Sequence, residues 1–170
     1  MRGDICFYSN TSWFSRVIQW VTRSPYNHVA IDMGDDVGVF AADTQGVKVY
    51  PIDTPTVRVH TSLLLNAERM DRALAWAFTQ TGKRYDYTDM VMNGVVLVTA
   101  FFHIPFTPPF TPQAYDCSEL AATYLVNAGY PFHADFLRDA LSLQVVNPGS
   151  LYRGLEAVQT CQQGARHAEQ

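Results

Sequence analysis

Hydrophobic and polar positions along this chain follow two different periods, and turn residues cut it where the period changes. Residues 5–9 alternate as a short strand, with Ile5 and Phe7 on one face. Residues 11–22 change to a helical period: Phe14, Val17, Ile18 and Val21 share one stripe, and Ser24-Pro25 ends it. Three strand-like runs follow, 28–33, 37–43 and 47–50. Gly34-Asp35-Asp36 and Gln45-Gly46 turn them, and Pro51 closes the last. Residues 57–60 add another short strand. Residues 66–81 form a helix with Met70, Leu74, Ala77 and Phe78 inward and Gly82 beyond its end. Strands that turn back on one another, with helices before and after, predict an antiparallel sheet flanked by helices. The expected class is α+β in one domain, without internal repeat or linker.

Composition narrows the function classes. A chain of 170 residues that is 48% hydrophobic and 16% charged folds around a core, and its net charge of −4 gives no general attraction for nucleic acid. Three cysteines, Cys6, Cys117 and Cys161, make an odd count without CxxC spacing. That argues against a zinc ribbon or a disulfide framework and for a reducing compartment. No histidine pair has the i, i+4 spacing of a helical metal site, so neither metal nor cofactor is expected. Met1-Arg2-Gly3-Asp4 carries no apolar signal core, so the expected location is cytoplasmic, with any action outside the cell relying on delivery by other means.

Residues 90–106 are largely apolar but are interrupted by Asn93, Gly94, His103 and Pro105. They fall short of the ~20 apolar residues a membrane-spanning helix needs, and no stable span is expected. Residues 106–112 continue as a proline-stiffened loop. The stretch reads either as a buried helix with its connector or as an apolar lid or lipid-facing wall.

That stretch runs into Asp116-Cys117-Ser118-Glu119-Leu120, a cysteine on the first turn of a helix. Leu120, Tyr124, Leu125 and Ala128 fall at helical spacing, and Gly129 and Pro131 stop the run. Asp116 is the N-cap, with Glu119 three residues on as in a capping box, and Ser118 and Glu119 serve the cap rather than the chemistry. Free N–H groups and the positive end of the helix dipole favour a thiolate there, and the thiolate is the nucleophile. A plain buried cysteine is the competing reading. His28 is the candidate base: it opens a strand on which His28, Ala30 and Asp32 share one face and Val29, Ile31 and Met33 the other. His60, His103, His133 and His167 lack such a setting. Cys6 reads as a buried strand residue and Cys161 as part of a polar tail.

Four fragments occur in order: Gly3-Asp4-Ile5, Ser24-Pro25-Tyr26-Asn27-His28-Val29-Ala30-Ile31, Gly82-Lys83-Arg84-Tyr85-Asp86, and Asp116-Cys117-Ser118-Glu119-Leu120. With Asn147-Pro148-Gly149-Ser150-Leu151 near the end, they resemble the circularly permuted branch of the NlpC-type, papain-like cysteine hydrolases, a branch related to lecithin retinol acyltransferase. The histidine precedes the cysteine, as in permuted members. The resemblance covers residues 3–152, implying a permuted papain-like domain over 1–152 and a polar tail over 153–170. It implies Cys117 as nucleophile, His28 as general base and the first N–H groups of the Cys117 helix as oxyanion donors. It also implies a third polar residue that orients the imidazole. Ala41-Ala42 stands where permuted members commonly have glutamate and alanine. Asp43 is the substitute, on the same strand face as Ala41, with Asp32 as the other option. Tyr85 and Tyr115 are implied to line the cleft and bind substrate, with packing beneath the loop as the alternative. The implied reaction is acyl transfer from an amide through a thioester. Cell-wall peptides of bacterial or phage context lead, acyl lipids come second, and a fold that binds without turnover is third.

Overall fold

A computed structural model describes residues 1–34, 36–51, 53–85, 114–132, 134, 136 and 146–168. The apolar stretch of residues 91–112 lies outside the described residues, as do His103 and His133. Five strands, β1 (Ile5–Tyr8), β2 (His28–Asp32), β3 (Val39–Asp43), β4 (Gly46–Tyr50) and β5 (Val57–Val59), form one sheet in the order β4-β3-β2-β1-β5. Every neighbouring pair in it is antiparallel. A short parallel pair, β6 (Arg84–Tyr85) and β7 (Ala114–Tyr115), stands beside it. The helices are α1 (Trp13–Thr22), α2 (Ala67–Thr79), α3 (Cys117–Asn127) and α4 (Pro148–Ala168), and a 3₁₀ turn spans Thr61–Leu64. The class is α+β, as the periodicities predict. No helix among the described residues is long and apolar enough to cross a membrane.

Alternation along the strands decides which residues meet the helices. Ile5, Phe7, Val29, Ile31, Phe40, Ala42 and Val47 share one face of the sheet. There they pack with Leu74 and Ala77 of α2, Leu120, Tyr124 and Leu125 of α3, and Leu151, Leu155 and Val158 of α4. Burying each large aliphatic side chain stabilises by about 1.5–3 kcal/mol, and truncating Leu120 to alanine would cost about 2–5 kcal/mol. Cys6, Tyr8, Ala30, Val39 and Ala41 form a smaller cluster on the other face, with Tyr50 against it.

Side-chain caps fix the helix starts, and the one at Asp116 is the cap read from the sequence. Asn66 accepts from the N–H groups of Glu68 and Arg69 at 3.0 and 3.3 Å, and Asp116 accepts from that of Glu119 at 2.7 Å. Phe78 departs from its expected inward place: it is 44% exposed, though its ring still meets Phe40 at 5.6 Å. Residues 153–168, expected as a polar tail, instead continue α4, because Leu151, Leu155 and Val158 repeat at helical spacing and are buried. Cys161 is exposed on that helix. The side chains of Phe14, Val17, Val21 and His167 lie outside the described ones.

Candidate active site

The loop that delivers His28 is fixed by aromatic packing. Phe7, Tyr26 and Tyr152 meet pairwise, with ring centroids 5.3, 4.7 and 5.3 Å apart. Gly149 packs so closely on this loop that a Cβ there would come within 2.4 Å of the Ser24 side chain. The late Pro148-Gly149-Ser150-Leu151 segment therefore buttresses the residues just before His28. Asn147 caps α4 by accepting from the Ser150 N–H at 2.9 Å.

His28 opens β2 opposite Tyr8 of β1, and the two rings lie 5.8 Å apart. The tyrosine hydroxyl is buried without a hydrogen-bond partner among the described residues. Sequence reasoning missed Tyr8; the strand register that puts it beside His28 becomes visible only once β1 and β2 are paired. Recorded pairing of β2 with β3 covers Ile31↔Phe40 and Asp32↔Val39. Continued by two and three steps, the same register sets Val29 opposite Ala42 and His28 opposite Asp43. Past those pairs, the Val29 N–H lies near enough to the Cys117 thiol to lower its pKa. Cys117 thus packs at the end of β2 that carries His28, while strand alternation gives the His28 side chain to the face of Tyr8 and Ala30.

The charges agree with that arrangement. Asp43 acts electrostatically on both His28 and Cys117. Asp32 lies at the other end of β2, where it accepts from the Gly34 N–H at 2.7 Å and pairs with Arg58 at 3.1 Å. Of the two aspartates considered for orienting His28, Asp43 is the one brought near it. Tyr85 and Tyr115 are paired neighbours on β6 and β7. The Tyr115 ring meets Trp76 edge-on at 6.2 Å and carries the Lys83 ammonium at 4.9 Å. The β6 strand is tied to β4 by bonds from the Val47 N–H to the Lys83 carbonyl at 3.0 Å and from the Gly82 N–H to the Val47 carbonyl at 2.8 Å. This brings the tyrosine pair to the side of the sheet carrying the Asp43–Gly46 turn.

One expectation is corrected. The N-terminal turn of α3 was expected to favour a thiolate, but burial pushes the Cys117 thiol up to about 12, and the adjacent Asp116 carboxylate adds to the rise. The Val29 N–H and Ser118, whose Oγ lies 3.9 Å from Sγ, only partly oppose it. The helix dipole loses to desolvation because the sulfur is 6% exposed and its cap is itself an anion. Burial likewise lowers the His28 pKa below its ordinary 6.5, with Asp43 pulling the other way. Both groups are therefore neutral near pH 7, one a thiol and the other an imidazole. Cys6, on the opposite sheet face, is pushed up to about 11, first by burial.

No protein-family model matches the chain, and no curated protein matches it. Among solved structures, it is similar in fold to the crystal structure of the metalloprotein yiiX from Escherichia coli O157:H7, a DUF1105 protein. The TM-score is 0.55 at 25% identity, and the match covers 75% of this chain and 66% of that one. Among the described residues, no group of three or more His, Cys, Asp or Glu could hold a metal ion, so the neighbour's metal has no counterpart there.

A second polar cluster escaped the sequence reading. Buried Asp4 accepts from Ser62 Oγ at 2.6 Å and from the Ser62 N–H at 3.2 Å, and lies 2.8 Å from His60 Nδ1. The Met1 amino group bridges Asp4 and Asp32 at 3.1 and 3.4 Å. Serine, histidine and aspartate meet here, but both partners bind the carboxylate. Ser62 donates to Asp4, so the nucleophile-to-base bond of a catalytic triad is not formed. Residues of β1, the His60–Ser62 corner and β2 are tied together instead.

Proposed function

We propose that the protein is a cysteine acyl hydrolase of the permuted NlpC-type, papain-like kind, with Cys117 as nucleophile, His28 as base and Asp43 as the residue that orients the imidazole. The observation that carries this reading is that Asp43 acts electrostatically on both His28 and Cys117, while the backbone N–H of Val29, the residue next to His28, acts on the same thiol. Support also comes from the neutral state of both groups, which suits general-base catalysis better than a resting ion pair. His28 takes the Sγ proton as sulfur bonds to the substrate carbonyl carbon. N–H groups at the start of α3 stabilise the oxyanion. The C–N bond then breaks, the amine leaves with the proton from His28, and a thioester remains on Cys117. Water attacks it, giving its proton to the imidazole, and the acid departs as the thiol is restored. Amides of cell-wall peptides are the leading substrates and acyl lipids the second, and Tyr85 and Tyr115 line the approach to the sulfur.

Exposed Cys161 would react first with any thiol reagent, so the test uses a Cys161→Ser background. The protein is incubated with mixed muropeptides and, separately, with acyl lipids, and Cys117 is examined by mass spectrometry for an acyl adduct. An adduct from muropeptides that is lost in His28→Ala supports the reading, and one from lipids alone transfers it to the second substrate class. Turnover that survives Cys117→Ser overturns it. Binding of either class without turnover assigns the fold to a binding module.

A further inference from the structure

Among the described side chains of helix α1, those turned inward are largely polar and the tryptophans face out. Ser15 is buried and Ile18, Gln19 and Thr22 are half-buried. The Gln19 amide donates to Ser9 Oγ at 3.1 Å and to the Pro25 carbonyl at 2.8 Å, which fastens the helix to the loops at both its ends. On the opposite side Trp13 is 77% and Trp20 80% exposed, and Arg16 and Arg23 are exposed as well. Positions 13, 16 and 20 follow the helical repeat, so two indole rings and the Arg16 guanidinium group share one stripe, and exposed Arg23 follows at the left-handed C-cap. Not one Asp or Glu occurs from Ile5 to Ile31, in a chain whose net charge is −4. Opposite charge is absent from this helix, from β1 and from β2 up to its last residue, Asp32.

We propose that the Trp13–Arg16–Trp20 face of α1, with Arg23 at its C-cap, docks on an anionic lipid bilayer, the indoles entering the headgroup boundary and the guanidinium groups pairing with lipid phosphates. Tryptophan is the residue that membrane interfaces favour, because its body is apolar and its N–H remains hydrated. Arginine beside it adds attraction to anionic headgroups and pairs with phosphate in bidentate fashion. The helix lies flat, since ten residues cannot span a bilayer. It leaves the sheet after Tyr8 and returns at His28, and these two residues are register partners. Docking through α1 would therefore bring the His28 end of the sheet to the bilayer surface. This surface is independent of the reaction proposed for Cys117, and its test needs no activity.

The whole chain is sedimented with vesicles of phosphatidylcholine alone and with vesicles containing phosphatidylglycerol. Partitioning at least about tenfold stronger into the anionic vesicles is expected, weakening with added salt. Trp13→Ser with Trp20→Ser should cut it by about tenfold or more, and Arg16→Gln by a smaller factor. Leu63→Ser, at a residue 69% exposed elsewhere, should leave it unchanged. Both tryptophans are largely solvent-facing, so circular dichroism should show the double variant folded. If that variant is not folded, Arg16→Gln decides the matter alone. Absence of binding to anionic vesicles, equal binding to neutral ones, or binding indifferent to all these substitutions overturns the proposal. So does a concentration-dependent dimer that the tryptophan variant dissolves in the absence of vesicle binding, which would give the face to a second copy of the chain.

Discussion

The two ends of β2 carry almost the same residue types and put them to opposite uses. At its far end, Asp32 and the neighbouring Asp4 are buried but satisfied: Ser62, His60, Arg58, the Gly34 N–H and the Met1 amino group all reach their carboxylates. Burial alone would raise the Asp4 pKa. Hydrogen bonds from Ser62, then His60 and the amino group, outweigh it and hold the carboxyl below its ordinary 3.8. At the near end, burial wins: Cys117 is kept a thiol and His28 a neutral base, with only Asp43 opposing the fall in the His28 pKa. A saturated cluster has no capacity left for a substrate, whereas one that is desolvated, with few partners among the described residues, has. The difference lies in the count of hydrogen bonds around each group, not in residue identity.

The largest break of that comparison is chemical. Cys117→Ala should remove turnover outright, and His28→Ala should lower kcat/KM by about 10²–10⁴-fold. Both variants should leave the urea midpoint within about 1 kcal/mol of the parent, because neither removes a partner from a saturated network. The complementary break is at the other end. Asp4→Ala should cost about 3 kcal/mol in urea unfolding, since it strands the Ser62 hydroxyl and N–H and the His60 ring at once. It should leave acylation of Cys117 unchanged in the folded fraction. The sign of its pH dependence follows from the depressed carboxyl. The stability it supplies is present above 3.8 and is lost as the pH falls below that value, and Asp4→Asn should flatten this part of the acid unfolding curve.

How far the sequence could be read follows the same division. Strands and the α3 helix were legible because they depend on local alternation and on a single capping side chain, Asp116. The choice between Asp43 and Asp32 was not, since Asp32 shares a strand face with His28 and Asp43 shares one with Ala41, where the orienting residue was expected. Only the antiparallel register, which turns β3 back toward the start of β2, separates them. The state of Cys117 was misread for a related reason: a helix N-terminus is visible in sequence, whereas burial of the sulfur against β2 is a tertiary fact that reverses the sign. The tail after residue 152 was misread because its polar residues outnumber the two, Leu155 and Val158, that dock it. The Asp4–His60–Ser62 cluster joins residues 56 and 58 positions apart, a separation at which no local pattern operates.

The finest test concerns Asp43, whose influence on His28 is electrostatic. Its carboxylate raises the imidazole pKa against the larger lowering from burial. In the wild-type protein, kcat/KM should therefore rise along an acid limb lying below 6.5 and stay flat through neutrality, because the thiol does not ionise until about 12. Asp43→Asn removes the raising contribution but keeps the shape and a hydrogen-bonding group, so the acid limb should move to still lower pH while the neutral plateau drops by about tenfold or less. Asp32→Asn, at the saturated end, should lower stability and leave the limb where it was. An acid limb that moves with Asp32→Asn and not with Asp43→Asn would reverse the assignment of the two ends. A limb that ignores both would mean that His28 is oriented by neither, leaving Tyr8, whose ring already lies against it, as the group that holds the imidazole in place.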